Sequence, residues 1–284
     1  MPLTTTGALV ARARAARTAV LAFNIITLEH VEAVIAGAES AGVPVVLQVS
    51  ENAVKFRHGR LRPLARAAVA AAEGAAVPVA LHLDHIRTGA LLQEAADAGF
   101  SSVMYDASHL PYDDNLASTR AAADRAHAQG LWIEAELGEI GGKGGGPARG
   151  AHAPGARTDP AEARAFVTDS HVDALAVAVG SVHAMTTRTA TLDHELLQRL
   201  RASVDVPLVL HGSSGVPDTE LRAAVAGGIT KVNIGTALNQ AMTGAIRDYL
   251  AAHPDEVDSR GYLAVGREAM AHTVERISNR LNPA

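Results

Sequence analysis

The feature that most restricts this chain is an alternation. Eight short β-rich runs, near 19–23, 44–49, 77–82, 101–105, 131–136, 173–178, 206–210 and 229–234, are each followed by a longer Ala-rich amphipathic stretch. Those stretches cover 28–41, 60–75, 88–98, 113–129, 159–169, 193–202, 217–227 and 236–252, and a last helical segment covers about 262–281. Eight βα units in one chain of 284 residues predict an α/β fold, a (β/α)8 TIM barrel forming one domain over 1–284, with the last helix outside the barrel. A doubly wound open sheet is the main competitor.

Bulk properties narrow the class of function. At 48% hydrophobic residues the chain can bury one large core, and its net charge of −5 is spread without a basic patch, so nucleic acid is not an expected partner. No stretch reaches the ~18–20 apolar residues of a membrane span, and the N-terminus lacks the layout of a signal peptide. Cysteine is absent, which removes disulfides, thiolate nucleophiles and Cys-bound metal together and fits a cytoplasmic location. Lysine is scarce: only Lys55, Lys143 and Lys231 occur.

One stretch breaks the rhythm. GEIGGKGGGPARGAHAPGART, 138–158, follows the fifth strand on the side where barrel active sites form, and a Gly-rich loop of this length is expected to act as a lid.

The C-terminal ends of barrel strands converge on one site. Here those ends carry Asn24; Gln48 and Ser50; His82, Asp84 and His85; Asp106; Glu134 and Glu136; then His183, His211 and Asn233. A lone His near a strand end is more often a hydrogen-bonded structural residue, and an Asp opening a helix is more often a cap. The coincidence on many strand ends of one barrel is what points to a site. So many buried polar groups without a partner would cost several kcal/mol, and a bound metal would satisfy them. His85, His183 and His211 come from three strands and can supply the open nitrogen set of a catalytic zinc, with Asp84 beside one of them as acid or base. HGSSGV (211–216) and NIGTAL (233–238), each leading into a helix, predict an anion site.

These residues resemble the class II, metal-dependent ketose-bisphosphate aldolase family of fructose- and tagatose-bisphosphate aldolases. The likeness rests on AFN (22–24), LHLDH (81–85), SVMYDASHLPYDDN (102–115), IEAELGEIGG (133–142), AVGSVHAM (178–185), LVLHGSSGV (208–216) and KVNIGTAL (231–238), which span most of the chain in the family's order. The resemblance implies Zn2+ on His85, His183 and His211, with Asp84 as the acid that protonates the aldehyde oxygen in condensation and takes that proton back in cleavage. It further implies an alternate or second metal position at Glu136, Asp106 and His82. Gly212, Ser214, Asn233 and Thr236 match the dihydroxyacetone-phosphate end of the site, and Asn24 and Ser50 match other substrate contacts. A monovalent cation (Na+ or K+) near the phosphate, a phosphorylated sugar as partner, and a homodimer or homotetramer are implied as well.

The chain departs from the family pattern twice. Lys143 and Gly144 stand where the family's lid carries its acidic pair, which leaves Glu139 and His152 as the nearest replacements for the base. Ala184 follows His183 where the family commonly has Gly. These departures keep open a specialised aldehyde partner, a catalytically weakened binding or regulatory relative, and an isomerase or epimerase on the same barrel. For a distal phosphate, Arg57, Arg260 and Arg267 are candidates. Aldol cleavage needs a Schiff-base lysine or a Lewis acid, and none of the three lysines is placed for the first: Lys231 falls early in strand eight, toward the wrong end. Finally, His82 and Asp84 share a face of an extended strand and His85 takes the other, so the strand must end or twist at about Asp84 for both members of the pair to serve one site.

Overall fold

The computed structural model describes residues 2–138 and 157–281. Most of the Gly-rich loop, with Glu139, Lys143, Gly144 and His152, lies outside the described residues.

Eight parallel strands close a barrel in sequence order. They are β1 (Val20–Asn24), β2 (Val45–Ser50), β3 (Val79–Ile86), β4 (Ser102–Tyr105), β5 (Trp132–Leu137), β6 (Ala174–Val177), β7 (Leu208–Leu210) and β8 (Ile229–Ile234). The helices are α1 (Thr6–Ala16), α2 (Leu28–Ala41), α3 (Glu51–Phe56), α4 (Arg62–Glu73), α5 (Gly89–Ala98), α6 (Tyr112–Ala128), α7 (Pro160–Ser170), α8 (His194–Ser203), α9 (Asp218–Gly227), α10 (Thr236–Ala252) and α11 (Ser259–Leu281). The fold is therefore the (β/α)8 TIM barrel that the alternation predicts. Strand tilt is visible in the register: Asn24 at the end of β1 pairs with Gln48, Gln48 with His82, His82 with Ser102, and Ser102 with Trp132 at the start of β5.

Period-two alternation sorts the strand residues into two cores. Leu21 and Phe23, Leu47 and Val49, Leu81 and Leu83, and Ile133 and Ala135 face outward into the strand–helix layer. Inside, the lower end is small and apolar: Val20, Ala22, Val46 and Ala80 meet Leu9, Val10 and Ala13 of α1. That helix plugs the bottom of the barrel and was not anticipated from the sequence; Thr5 caps it by accepting the Ala8 N–H at 3.3 Å. Helix α3 is a second unanticipated element, begun by the Ser50 hydroxyl, which accepts the Ala53 N–H.

Outside the barrel α11 packs along α2. The closest approach is at Gly37, where a Cβ would sit 2.4 Å from the Ala271 carbonyl oxygen, so only glycine lets the two backbones come together.

Candidate active site and metal centre

Strand β3 delivers two neighbouring side chains to one place by breaking its own alternation. Leu83 pairs with Val103 and Ile86 with Tyr105, so three steps along β3 match two along β4. The extra residue is a bulge, and His85 takes the left-handed conformation there, at φ 50°. The strand thus twists at the position where the sequence requires it to, and pairing resumes at Ile86 instead of ending.

The bulge brings His85 to His183, from the loop after β6, and to His211, which follows β7. The ring centroids of His85 lie 5.4 Å from His183 and 4.7 Å from His211, and His183 lies 5.7 Å from His211. Glu136 joins them from β5. One ligand atom from each of His85, Glu136, His183 and His211 can be chosen so that all lie within 4.8 Å of one another. Three of the atoms in this group are buried without a hydrogen-bond partner: His183 Nε2, His211 Nδ1 and Glu136 Oε2. On His85, Nδ1 is engaged with Asp106 Oδ2 at 3.0 Å, which leaves Nε2 to face the group. Buried polar atoms are almost always partnered, so bare nitrogen and carboxylate atoms converging on one point fit a divalent metal ion.

Asp84 lies at the edge of this group, its Oδ1 3.7 Å from His85 Nε2. Its other oxygen accepts from Asn24 Nδ2 at 3.0 Å, and Asn24 Oδ1 in turn accepts from Gln48 Nε2 at 3.0 Å. Asn233 Nδ2 approaches Asp84 Oδ1 at 3.5 Å. Burial acts to raise the Asp84 carboxyl, but the surrounding imidazoles His85, His211 and His82 outweigh it and hold it well below the usual carboxylate range. Asp84 is ionised at rest.

Asp106 and His82 do not join the four-residue group. Asp106 grips His85 with one oxygen, which also takes Arg87 Nη2 at 3.1 Å, and the Ser108 hydroxyl with the other at 2.7 Å. Burial pushes its carboxyl up, and these contacts hold it far down. Its place is behind His85, where it orients the ring. His82 points inward one layer lower, its Nδ1 2.8 Å from Ser102 Oγ, which donates to Thr6 Oγ1 of α1 at 2.6 Å. Burial, helped by the Lys231 ammonium, drives its pKa down to about 3. On the protein's own charges His85 moves the opposite way: burial lowers it, but Asp84 and Asp106 raise it to about 9. Burial and the neighbouring imidazoles hold His183 well below its usual value, while the Glu134 and Glu136 carboxylates outweigh burial at His211 and raise it.

Above the group lies a cavity of about 350 Å3. Asn24, Ser50, Gly212, Ser214, Asn233 and Thr236, the six expected substrate contacts, all line it together with Asp84, His85 and His183. Gly212 stands at φ 66°, and a Cβ there would meet the Val182 carbonyl carbon at 2.7 Å. Beyond it Ser213–Gly215 form a single 3-10 turn, and the Ser214 hydroxyl accepts the Ala237 N–H at 3.3 Å, tying that turn to the start of α10. Ala184 also lines the cavity and has φ 59°, a conformation that favours glycine and costs an alanine about 1 kcal/mol.

None of the three arginines considered for a distal phosphate lines this cavity. Arg57 donates twice to the Ile26 carbonyl, Arg260 binds Asp258, and Arg267 binds Glu32. Among the described residues, Lys55, paired with Glu51 at 2.8 Å, and Arg87 do line it. Lys231 is inside the barrel and fully buried, one layer beneath the cavity, with Nζ 2.8 Å from Glu134 Oε2. The sequence marked Glu134 only as polar; its spacing of two from Glu136 on the inward face of β5 is the signal that places it directly below the His85, His183, His211 and Glu136 group.

Comparisons with known proteins agree with this geometry. A family model described as fructose-bisphosphate aldolase class-II matches residues 4–284. The crystal structure of the YdjI aldolase from Escherichia coli K12 is 30% identical, with 99% of this chain and 97% of that chain covered at a TM-score of 0.83. A Coccidioides immitis protein assigned as a fructose-1,6-bisphosphate aldolase is 31% identical, covering 97% of this chain and 95% of its own at a TM-score of 0.86. The fructose-bisphosphate aldolase of Campylobacter jejuni, 23% identical over 99% of this chain and 95% of its own, shares the fold at a TM-score of 0.81.

Proposed function

The chain belongs to the class II fructose-bisphosphate aldolase family and is a lyase, and from that premise we propose that it is a zinc-dependent aldolase that reversibly cleaves a ketose phosphate to dihydroxyacetone phosphate and an aldehyde. Fructose or tagatose 1,6-bisphosphate is the default substrate. The observation that carries this reading is the convergence of His85, His183, His211 and Glu136, three of whose facing atoms are unpaired, beside an ionised Asp84 on the floor of a cavity.

His85, His183 and His211 would hold the ion, with Glu136 as the alternate ligand. A bound Zn2+ would supply the Lewis acidity that carbonyl chemistry needs without a Schiff-base lysine; among the described residues Lys231 is paired with Glu134 and Lys55 with Glu51. The remaining work belongs to the protein's own groups. Asp84, ionised at rest and steadied by Asn24, takes the proton from the hydroxyl on the carbon that becomes the aldehyde. The carbon–carbon bond then breaks as that carbonyl forms, and its electron pair stays on the dihydroxyacetone-phosphate carbon, which takes up a proton. In condensation the same carboxyl returns the proton to the aldehyde oxygen. Gly212, Ser214, Asn233 and Thr236 bind the dihydroxyacetone-phosphate end, where small residues and backbone N–H groups at the start of α10 suit an anion. A monovalent cation belongs near that phosphate. Glu139 and His152 are our candidates for the proton step at the ketone's C1.

Two cations, Lys55 and Arg87, line the cavity. This favours an aldehyde partner that itself carries an anionic group, held between them and Ser50. We expect a homodimer or homotetramer in the cytoplasm; among the described residues no helix is long and apolar enough to cross a membrane. A screen of ketose mono- and bisphosphates with triose-phosphate detection tests the activity. Release of a triose phosphate supports cleavage, while conversion of the ketose without it points to an isomerase or epimerase.

A further inference from the structure

Beneath the metal group lies a pair of charges that the proposed chemistry does not use. Glu134 and Lys231 are each 0% exposed, and neither lines the cavity. Both follow from strand periodicity: Glu134 is two residues before Glu136 on β5, and Lys231 two before Asn233 on β8, so both point into the barrel one layer down. Lys231 Nζ meets Glu134 Oε2 at 2.8 Å, and Glu134 Oε1 meets His211 Nε2 at 2.8 Å.

The direction of the last bond can be settled by chemistry. Two groups face Nε2, the Glu134 carboxylate at 2.8 Å and Asn233 Nδ2 at 3.0 Å; the nearer, ion-paired carboxylate has only lone pairs to offer, and this puts the proton on His211 Nε2. In the neutral imidazole the other nitrogen, Nδ1, then presents a lone pair upward; it makes no hydrogen bond and faces Glu136 Oε2 at 3.4 Å. We propose that the Glu134–Lys231 ion pair is a positioning device that locks His211 into the tautomer able to bind a divalent metal through Nδ1. The inference rests on the metal reading of the site and adds two residues to it that touch neither metal nor substrate.

The lysine gives the arrangement its direction. A glutamine at 134 facing the Lys231 ammonium would turn its carbonyl oxygen to the lysine and its NH2 to His211. That amide can only donate, so Nε2 would have to accept and the proton would move to Nδ1, the metal-binding atom. Removing the lysine as well frees the amide to turn its oxygen back to His211.

The test uses the full-length protein loaded with zinc. In the wild type, nitrogen-15 NMR is expected to show His211 bound through Nδ1, with a slowly exchanging downfield proton on Nε2. Zinc affinity, read by competition with a chromophoric chelator, is expected to weaken about 10–100-fold in Glu134→Gln. It should recover by about tenfold in Glu134→Gln/Lys231→Met, a gain that loss of packing alone would not give. Zinc affinity in Glu134→Gln within twofold of wild type, or a wild-type His211 bound through Nε2, overturns the inference while leaving the metal site standing; the second readout needs no variant to fold. A wild type that takes up no zinc overturns the metal reading and this inference together.

Discussion

His82 and His85 stand three residues apart on β3, both buried, and the barrel treats them in opposite ways. His82 sits in the lower layer, bonded through one nitrogen to Ser102 and held neutral with a pKa near 3; His85 sits in the upper layer between two carboxylates and is pushed up to about 9. The lower layer carries one unpaired imidazole atom, His82 Nε2, outside any ligand group; the upper layer gathers His183 Nε2, His211 Nδ1 and Glu136 Oε2 around one point. A buried imidazole is therefore no guide to a metal site on its own. Convergence of bare donor atoms is, and on this strand a single bulge residue decides which His takes part.

The contrast is most easily broken by deleting one His from each layer. His85→Ala or His211→Ala should abolish zinc uptake and lower kcat/KM by about 10^3-fold or more, the loss of several kcal/mol of Lewis-acid stabilisation. His82→Gln should keep its zinc equivalent, read by metal analysis of the purified protein. Next in size is the ion pair between the layers. Lys231→Met strands a buried carboxylate at Glu134 and should destabilise the fold by about 3–5 kcal/mol in urea titrations. The double change Glu134→Gln/Lys231→Met removes both charges and should be milder.

Acid stability sharpens the comparison further. In its native site His82 binds its proton only near pH 3, whereas in the unfolded chain it does so at about 6.5. Between those values the unfolded state holds the extra proton, so stability rises with pH and is lost as pH falls, by up to about 1.4 kcal/mol per unit. His82→Gln should flatten that acid limb. His85 has the reverse sign in metal-stripped protein: its contribution is full below about pH 6.5 and is lost as pH rises through about 9. The smallest effect concerns the cavity wall, where Ala184→Gly should raise thermal stability by about 1 kcal/mol by relieving the left-handed alanine.

The alternation of strands and helices was legible because it is local: hydrophobic period changes from two to 3.6 within each βα unit, and the eight strands lie close to where it puts them. Helix α1 was missed although Leu9, Val10 and Ala13 have helical spacing, since nothing local says that a helix before the first strand will plug the barrel. The strand-end rule gathered His85, His183 and His211 without geometry. It left His82 as an alternate metal position, because the partners that hold His82 back, Ser102 and Thr6, come from a neighbouring strand and from the plug helix. Lys231 lies early in β8, as the sequence places it, and does not line the cavity; that its long side chain reaches Glu134 across the barrel, under the site, is a tertiary fact no local pattern carries. Arg57, Arg260 and Arg267 do not line the cavity; Ile26, Asp258 and Glu32 hold them, partners that cannot be read from charge alone.

On this reading the upper layer holds a metal on which the reaction depends. Metal analysis of the purified protein, coupled to triose-phosphate release from fructose and tagatose bisphosphate before and after EDTA, tests it directly. One tightly held zinc per chain, loss of cleavage on chelation and its return with added Zn2+ are expected; cleavage that continues at full rate in protein stripped of metal would rule the metal mechanism out.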